Sequence, residues 1–192
     1  MKINWTVISV AAGFLALLLI PATGSAMSTE ASSAVMSLSY LGTNNPRGIR
    51  NNNPLNLIIS SNPWQGKIPV SQNTDGSFEQ FESFVWGVRA AIKNIINYIE
   101  VKNLNSIEKI IECWAPRYVS KCINNPGAQG DNSNAAVDNY INIVVQKSGI
   151  SKTTTITANQ ATLQKIVTAM AYVENGKDVI TDDIFNVAYS LI

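Results

Sequence analysis

Apolar residues recur at helical spacing through the second half of the chain. Val85, Val88, Ile92, Ile95, Ile96 and Ile99 follow an i, i+3/i+4 rhythm and predict a helix over Val85–Val101. Ile107, Ile110, Ile111 and Trp114 share one face of a second helix, opened by Asn105 or Ser106 and ended by Pro116. A third covers Ala135–Lys147 and closes at Gly149. Thr157-Ala-Asn-Gln160 reads as a capping box for a fourth, which runs to Asn175 with Gly176 just past its end. Thr181-Asp182-Asp183 starts a short final helix. Before Ser83 the rhythm is different. Asn44 to Pro63 is dense in Asn and Pro and reads as an ordered loop, with a short extended piece at Leu55–Ser60. Trp64 to Ser83 reads as a hairpin, with strands Lys67–Ser71 and Ser77–Phe81 around a Thr74-Asp75-Gly76 turn. The pattern predicts an α+β, mainly helical domain with one small β-hairpin.

A second apolar pattern lies at the N-terminus. Trp5 to Ile20 is interrupted only by Thr6, Ser9 and Gly13; Lys2 precedes it and Pro21 ends it. Two readings are open for residues 1–26. One is a signal peptide cleaved after Ala26; the other is an uncleaved anchor that reaches a membrane through residues 3–22. The run falls short of the roughly 20 apolar residues a spanning helix needs, which favours cleavage. Both readings export the rest of the chain to a periplasm, cell envelope or virion. Residues 27–43, rich in Ser, Thr and Ala, form a linker, a tether or a poorly packed helix, and residues 44–192 form the domain.

Composition narrows the chemistry. Of 192 residues only 14% are charged, with 14 basic against 13 acidic side chains, and 22 are Asn. No basic face for nucleic acid is expected from that balance. There is no histidine. That excludes a Ser-His-Asp triad, a Cys-His pair and an H-E-x-x-H zinc site, and acid–base work falls to Asp, Glu, Lys or Tyr. Neither a metal nor a cofactor is expected. Cys113 and Cys122 are nine apart, spaced to close a short disulfide loop in an exported protein; the alternative is two unrelated thiols.

Glu174 is the carboxylate that stands out. It continues the stripe of Leu163, Val167 and Met170 into the last turn of its helix, beside the negative end of the macrodipole. Such a place favours the neutral acid that protonation of a glycosidic oxygen requires. The plain alternative is a helix-end Glu that reaches solvent past Gly176. Trp64, in an Asn-Pro-Trp-Gln-Gly loop, is the best surface aromatic for stacking on a sugar, and Trp114 reads as core. Arg47, Arg50 and Asn51-Asn52-Asn53 form the densest polar cluster, able to fix a loop or to bind sugar amides.

Pro46-Arg-Gly-Ile-Arg-Asn-Asn-Asn-Pro-Leu-Asn56 resembles the R-G-I-R-N-N-N-P-G-N signature of a phage virion structural protein and lytic-enzyme family. The likeness continues at Asn62-Pro-Trp-Gln-Gly66, Asp75-Gly-Ser-Phe78, Phe81 and Trp86-Gly-Val-Arg-Ala90. It resumes at Trp114-Ala-Pro116, Asn139-Tyr-Ile141, Ala169-Met170 and Glu174-Asn-Gly176. The resemblance implies a lysozyme-like fold and cleavage of peptidoglycan glycan strands by lytic transglycosylation, which needs a single catalytic carboxylate. Glu174 would be that acid and base. Asn52, Asn53 and Asn56 would bind N-acetyl groups or orient the loop, Trp64 would stack on a sugar, and Arg50 would hold substrate. Two alternatives accompany it: a muramidase or glucosaminidase, and a non-catalytic virion or envelope protein that binds glycan, with virion proteins as partners. Three departures from the signature are Leu55 for Gly, Val173 where His is frequent, and Arg117-Tyr-Val-Ser-Lys-Cys122 after Pro116.

Overall fold

The computed structural model describes residues 27–117 and 132–192; the expected signal or anchor segment, and Cys122, lie outside the described residues. Among the described residues seven α-helices follow one another: α1 Thr29–Met36, α2 Arg47–Arg50, α3 Phe84–Ile96, α4 Ile107–Trp114, α5 Asn134–Ser148, α6 Gln160–Asn175 and α7 Asp182–Ser190. A π-helical turn, Asn97–Val101, extends α3.

Most helix ends lie where the side chains place them. Ser106 Oγ accepts from the Lys109 amide to start α4, Ser133 Oγ from Ala136 to start α5, and Thr181 Oγ1 from Ile184 to start α7. Gly149 and Gly176 stop α5 and α6 in the left-handed conformation, at φ 68° and 71°. The cap of α6 differs from the expected box. Asn159, rather than Thr157, takes the first free amide, from Thr162, and Thr157 Oγ1 accepts from the Asn159 side chain.

One core joins the helices. α3 packs on α6 and α7, and α5 packs on α4 and α6. Phe84, Ile92 and Ile95 of α3 meet Ile107, Ile110 and Ile111 of α4, Leu163, Ile166 and Met170 of α6, and Phe185 of α7, all fully buried. Leu55, the residue that departs from the signature's Gly, is also fully buried in this core. α1 leans on α7 and α3 through half-buried Val35 and Met36 and has no fully buried residue of its own. Among the described residues no helix is long and apolar enough to cross a membrane.

The expected hairpin is a correction. Among the described residues there is no sheet. The segment around Phe78–Phe81 makes two isolated antiparallel bridges, Ile58 with Phe78 and Lys67 with Phe81. Val70 and Ser71, placed in the first expected strand, belong to a 3-10 turn, Val70–Gln72. Three features break the ladder. Pro69 has no amide to donate. Gly66 turns the chain at φ 70°. Side chains take groups a strand partner would use: Asn73 donates to the Phe78 carbonyl, and Gln80 accepts from the Thr74 amide. A lysozyme-like α+β domain with a hairpin is therefore not what forms; the described chain is helical, with an irregular loop region before α3.

Candidate functional site

The Asn-rich loop is built by its own amides. Asn52 and Asn56 sit at φ 53° and 52°, a region open to Asn at low cost and to few other residues. Asn52 is wholly buried. Its Oδ1 accepts from the Tyr40 amide at 2.8 Å, and its Nδ2 donates to Ser39 Oγ and to the Phe81 carbonyl at 2.8 and 2.9 Å. Asn53, also wholly buried, donates to the carbonyls of Leu57 and Glu79 and accepts from the Leu57 amide. Both side chains are used up in tying the loop to its neighbours, and neither presents an atom to solvent. Lys67 and the fully buried Glu79 pair at 2.9 Å beneath the same loop, and Glu79 Oε1 also accepts from the Ser60 amide.

Glu174 is where the signature residues converge. Its Oε1 accepts from Trp114 Nε1 at 2.9 Å and from the Tyr140 hydroxyl at 2.9 Å; its Oε2 accepts from Asn56 Nδ2 at 3.0 Å. One half-buried carboxylate thus joins the Asn loop, the end of α4, the middle of α5 and the end of α6. The stripe that pointed to Glu174 is real: Leu163, Val167 and Met170 below it are fully buried. Next to it, Asn175 donates to the Pro54 and Ala171 carbonyls at 2.8 Å. Its Oδ1 and that of Asn56 are buried without a hydrogen-bond partner. Both face Gly48: a Cβ there would lie 2.5 Å from Asn175 Oδ1 and 3.2 Å from Asn56 Oδ1. The Gly of the Arg-Gly-Ile-Arg run is the residue that lets α2 approach.

Burial pushes the Tyr140 hydroxyl well above the usual tyrosine range, and the charge and hydrogen bond of Glu174 push it the same way. The folded protein therefore holds this proton after the unfolded chain has lost it. The stabilisation is full below about pH 10, the unfolded value, and falls as pH rises above it. Melting temperature measured across the alkaline range should drop more steeply in the wild type than in Tyr140→Phe; parallel curves would refute the buried hydroxyl.

Sequence reasoning singled out Asn56, Trp64 and Glu174, and the structure brings Asn56 and Glu174 into contact. Trp64, like Trp86 and Trp114, is half-buried and packs against the small cluster of Leu57, Phe81 and Ala90. Arg50 is not with them; it lies on α2 beside a separate polar pocket. Trp114, expected to be core, packs half-buried against it and also donates its indole N–H to Glu174, and Tyr140 was missed as a partner. The signal for both was their place in the signature, in Trp114-Ala-Pro116 and Asn139-Tyr-Ile141. Cys113 is buried on α4, and the pairing expected with Cys122 falls outside the described residues. Among the described residues no cluster of carboxylates and thiols suited to a metal is present.

Beyond α4, Arg117 ties the chain back. Its Nε meets Glu112 at 2.7 Å and its Nη2 meets Asp138 at 2.6 Å, while Nη1 donates to the Asn134 carbonyl. The Arg117 hydrogen bond holds the Asp138 carboxyl below its usual range.

No protein-family profile matches the chain. Protein P5 of Pseudoalteromonas phage PM2 is 34% identical over 140 residues, covering 71% of this chain and 76% of the phage protein. At that identity and coverage, with the likeness spanning most of both chains, this protein belongs to the family of phage PM2 Protein P5.

Proposed function

We propose that this is a phage virion or cell-envelope protein that holds glycan without cleaving it, with Glu174 serving as a structural joint. The observation that carries this reading is the state of the carboxylate. A general acid must present a proton from one of its oxygens. Here Oε1 already accepts from two donors, one of them an indole N–H that can only donate, and Oε2 accepts from an amide N–H. Kinship to a phage protein supports the setting, and the apolar run from Trp5 to Ile20 supports export toward an envelope. Half-buried Trp64 is the surface ring for a sugar.

A second reading, cleavage of the glycan strand, rests on one observation: Asn56 Oδ1 has no partner. Turned over, the amide would place an acceptor against Oε2 and hold a proton there, as a general acid needs. Incubation with purified peptidoglycan separates the two. The first reading expects the protein to sediment with the walls, Trp64→Ala to weaken that binding, and no soluble product to form. Soluble fragments that vanish in Glu174→Gln would overturn it. Anhydro ends on those fragments would mean transglycosylation, and reducing ends hydrolysis.

A further inference from the structure

A polar pocket of about 220 Å³ lies between α2 and the Thr74–Asp75 turn, apart from Glu174. Its floor is a closed network. Asn51 donates to Asp75 Oδ2 at 2.9 Å, Gln80 donates to Asn51 Oδ1 at 3.0 Å, and Thr74 Oγ1 accepts from Gln80 at 3.0 Å. Asn51 and Gln80 are buried, so the floor is fixed before any ligand arrives. Burial works against the Asp75 charge, but the Asn51 amide, the Phe78 N–H and the Arg47 guanidinium together hold its carboxyl below the usual range.

The two arginines on the rim differ in how they are held. Arg47 Nε pairs with Asp75 Oδ2 at 3.1 Å, and its guanidinium lies 4.8 Å from the Phe78 ring centre. That fixes its orientation and leaves its two terminal nitrogens without a hydrogen bond among the described residues. Arg50, one helical turn on, has no carboxylate partner among the described residues and makes one long bond, 3.4 Å, to the Asn45 carbonyl. The lining thus carries two cations against one anion, with the anion spent beneath Arg47. Two guanidinium forks on one short helix offer more donors than the two oxygens of a carboxylate accept, and the oxygens of a phosphate take both. The cavity is also larger than a bare phosphate fills, and its lining is polar.

We propose that this pocket binds a phosphate carried on a sugar, with Arg47 and Arg50 clamping the phosphate and the sugar filling the rest of the polar cavity over the fixed Asn51–Gln80 floor. The pocket stands on its own geometry; only its use at an envelope rests on the reading above. Titration calorimetry at low salt with the full chain tests it, using glucose 1-phosphate, glucuronate, inorganic phosphate and glucose as probes. Glucose 1-phosphate should bind most tightly, inorganic phosphate more weakly, and glucose not at all. Arg50→Gln should weaken sugar-phosphate binding roughly tenfold or more, as expected for loss of a charge-assisted contact, with an unchanged melting temperature. Arg50→Lys should fall between. Glucuronate binding as well as the sugar phosphate, no binding of either, or full binding by Arg50→Gln would overturn the proposal. Cosedimentation with phosphatidylcholine vesicles, with and without a phosphorylated glucosamine lipid, distinguishes a lipid-borne phosphosugar from a soluble one. Failure of these titrations alongside retained sedimentation with peptidoglycan would sink the pocket and leave the glycan-holding reading standing.

Discussion

Gly87→Ala should destabilise the protein by about 3 kcal/mol or more, although alanine is the better helix former. Gly87 lies inside α3, where replacing Gly by Ala on an open helix surface gains up to about 1 kcal/mol. Here the added Cβ would overlap the backbone carbonyl of Asn52. That carbonyl cannot step aside, because the Asn52 side chain is bonded to Tyr40, Ser39 and Phe81. The steric term therefore outweighs propensity, and either the loop or the helix must leave its place. Gly149→Ala is the comparison: its Cβ would meet nothing within 4 Å, and only its φ of 68° is strained, so a loss of about 1 kcal/mol is expected. Urea denaturation of both variants measures the difference. A Gly87→Ala protein as stable as the wild type would show that the loop and α3 do not meet as described.

The same contact shows how the Asn-rich run is held. Its residues suggested loop fixing first, and the family resemblance added sugar binding as a second use. Asn52 and Asn53 serve the loop: one adopts a positive φ, and both replace with side-chain bonds the backbone pairing an irregular segment lacks. Gly48 and Gly87 are the matching half of the device, bare backbone where the loop comes close. Sequence alone could not separate the two uses, because an amide that staples and an amide that binds have the same composition.

The helices were legible because their burial is periodic and their caps are local: Ser106, Gly149, Gly176 and Thr181 act within one turn of themselves. The hairpin's absence was not legible, because a turn signal between two short segments says nothing about which partner fills each backbone group. Pro69, Asn73 and Gln80 decided that, and two of the three act through side chains on backbone across the turn. The site was half legible. Glu174 follows from its own helix stripe, but its partners come from positions 34, 60 and 118 residues away, a separation no local pattern spans.

Those partners set the second large effect. Glu174→Ala should cost about 3 kcal/mol, because it strands the Trp114 indole N–H, the Tyr140 hydroxyl and the Asn56 amide, each an unmet buried or half-buried donor worth about 1–3 kcal/mol. The sum is held below its maximum because Glu174 and Trp114 are only half-buried, so water can take up part of the loss. Glu174→Gln keeps one carbonyl oxygen and should cost about half as much. A carbonyl oxygen in the place of Oε1 can still accept from Trp114 and Tyr140, while the new amide nitrogen turns a donor toward Asn56 Nδ2. Tyr140→Phe removes one donor, so the double variant Tyr140→Phe/Glu174→Ala should cost less than the sum of the singles, with a coupling of about 1 kcal/mol. Denaturation of the four proteins closes the cycle. Additive losses would mean that Glu174 and Tyr140 do not share a proton. A Glu174→Gln protein of wild-type stability that had lost release of soluble glycan would turn the joint into an acid, and would favour cleavage over holding as the work of this fold.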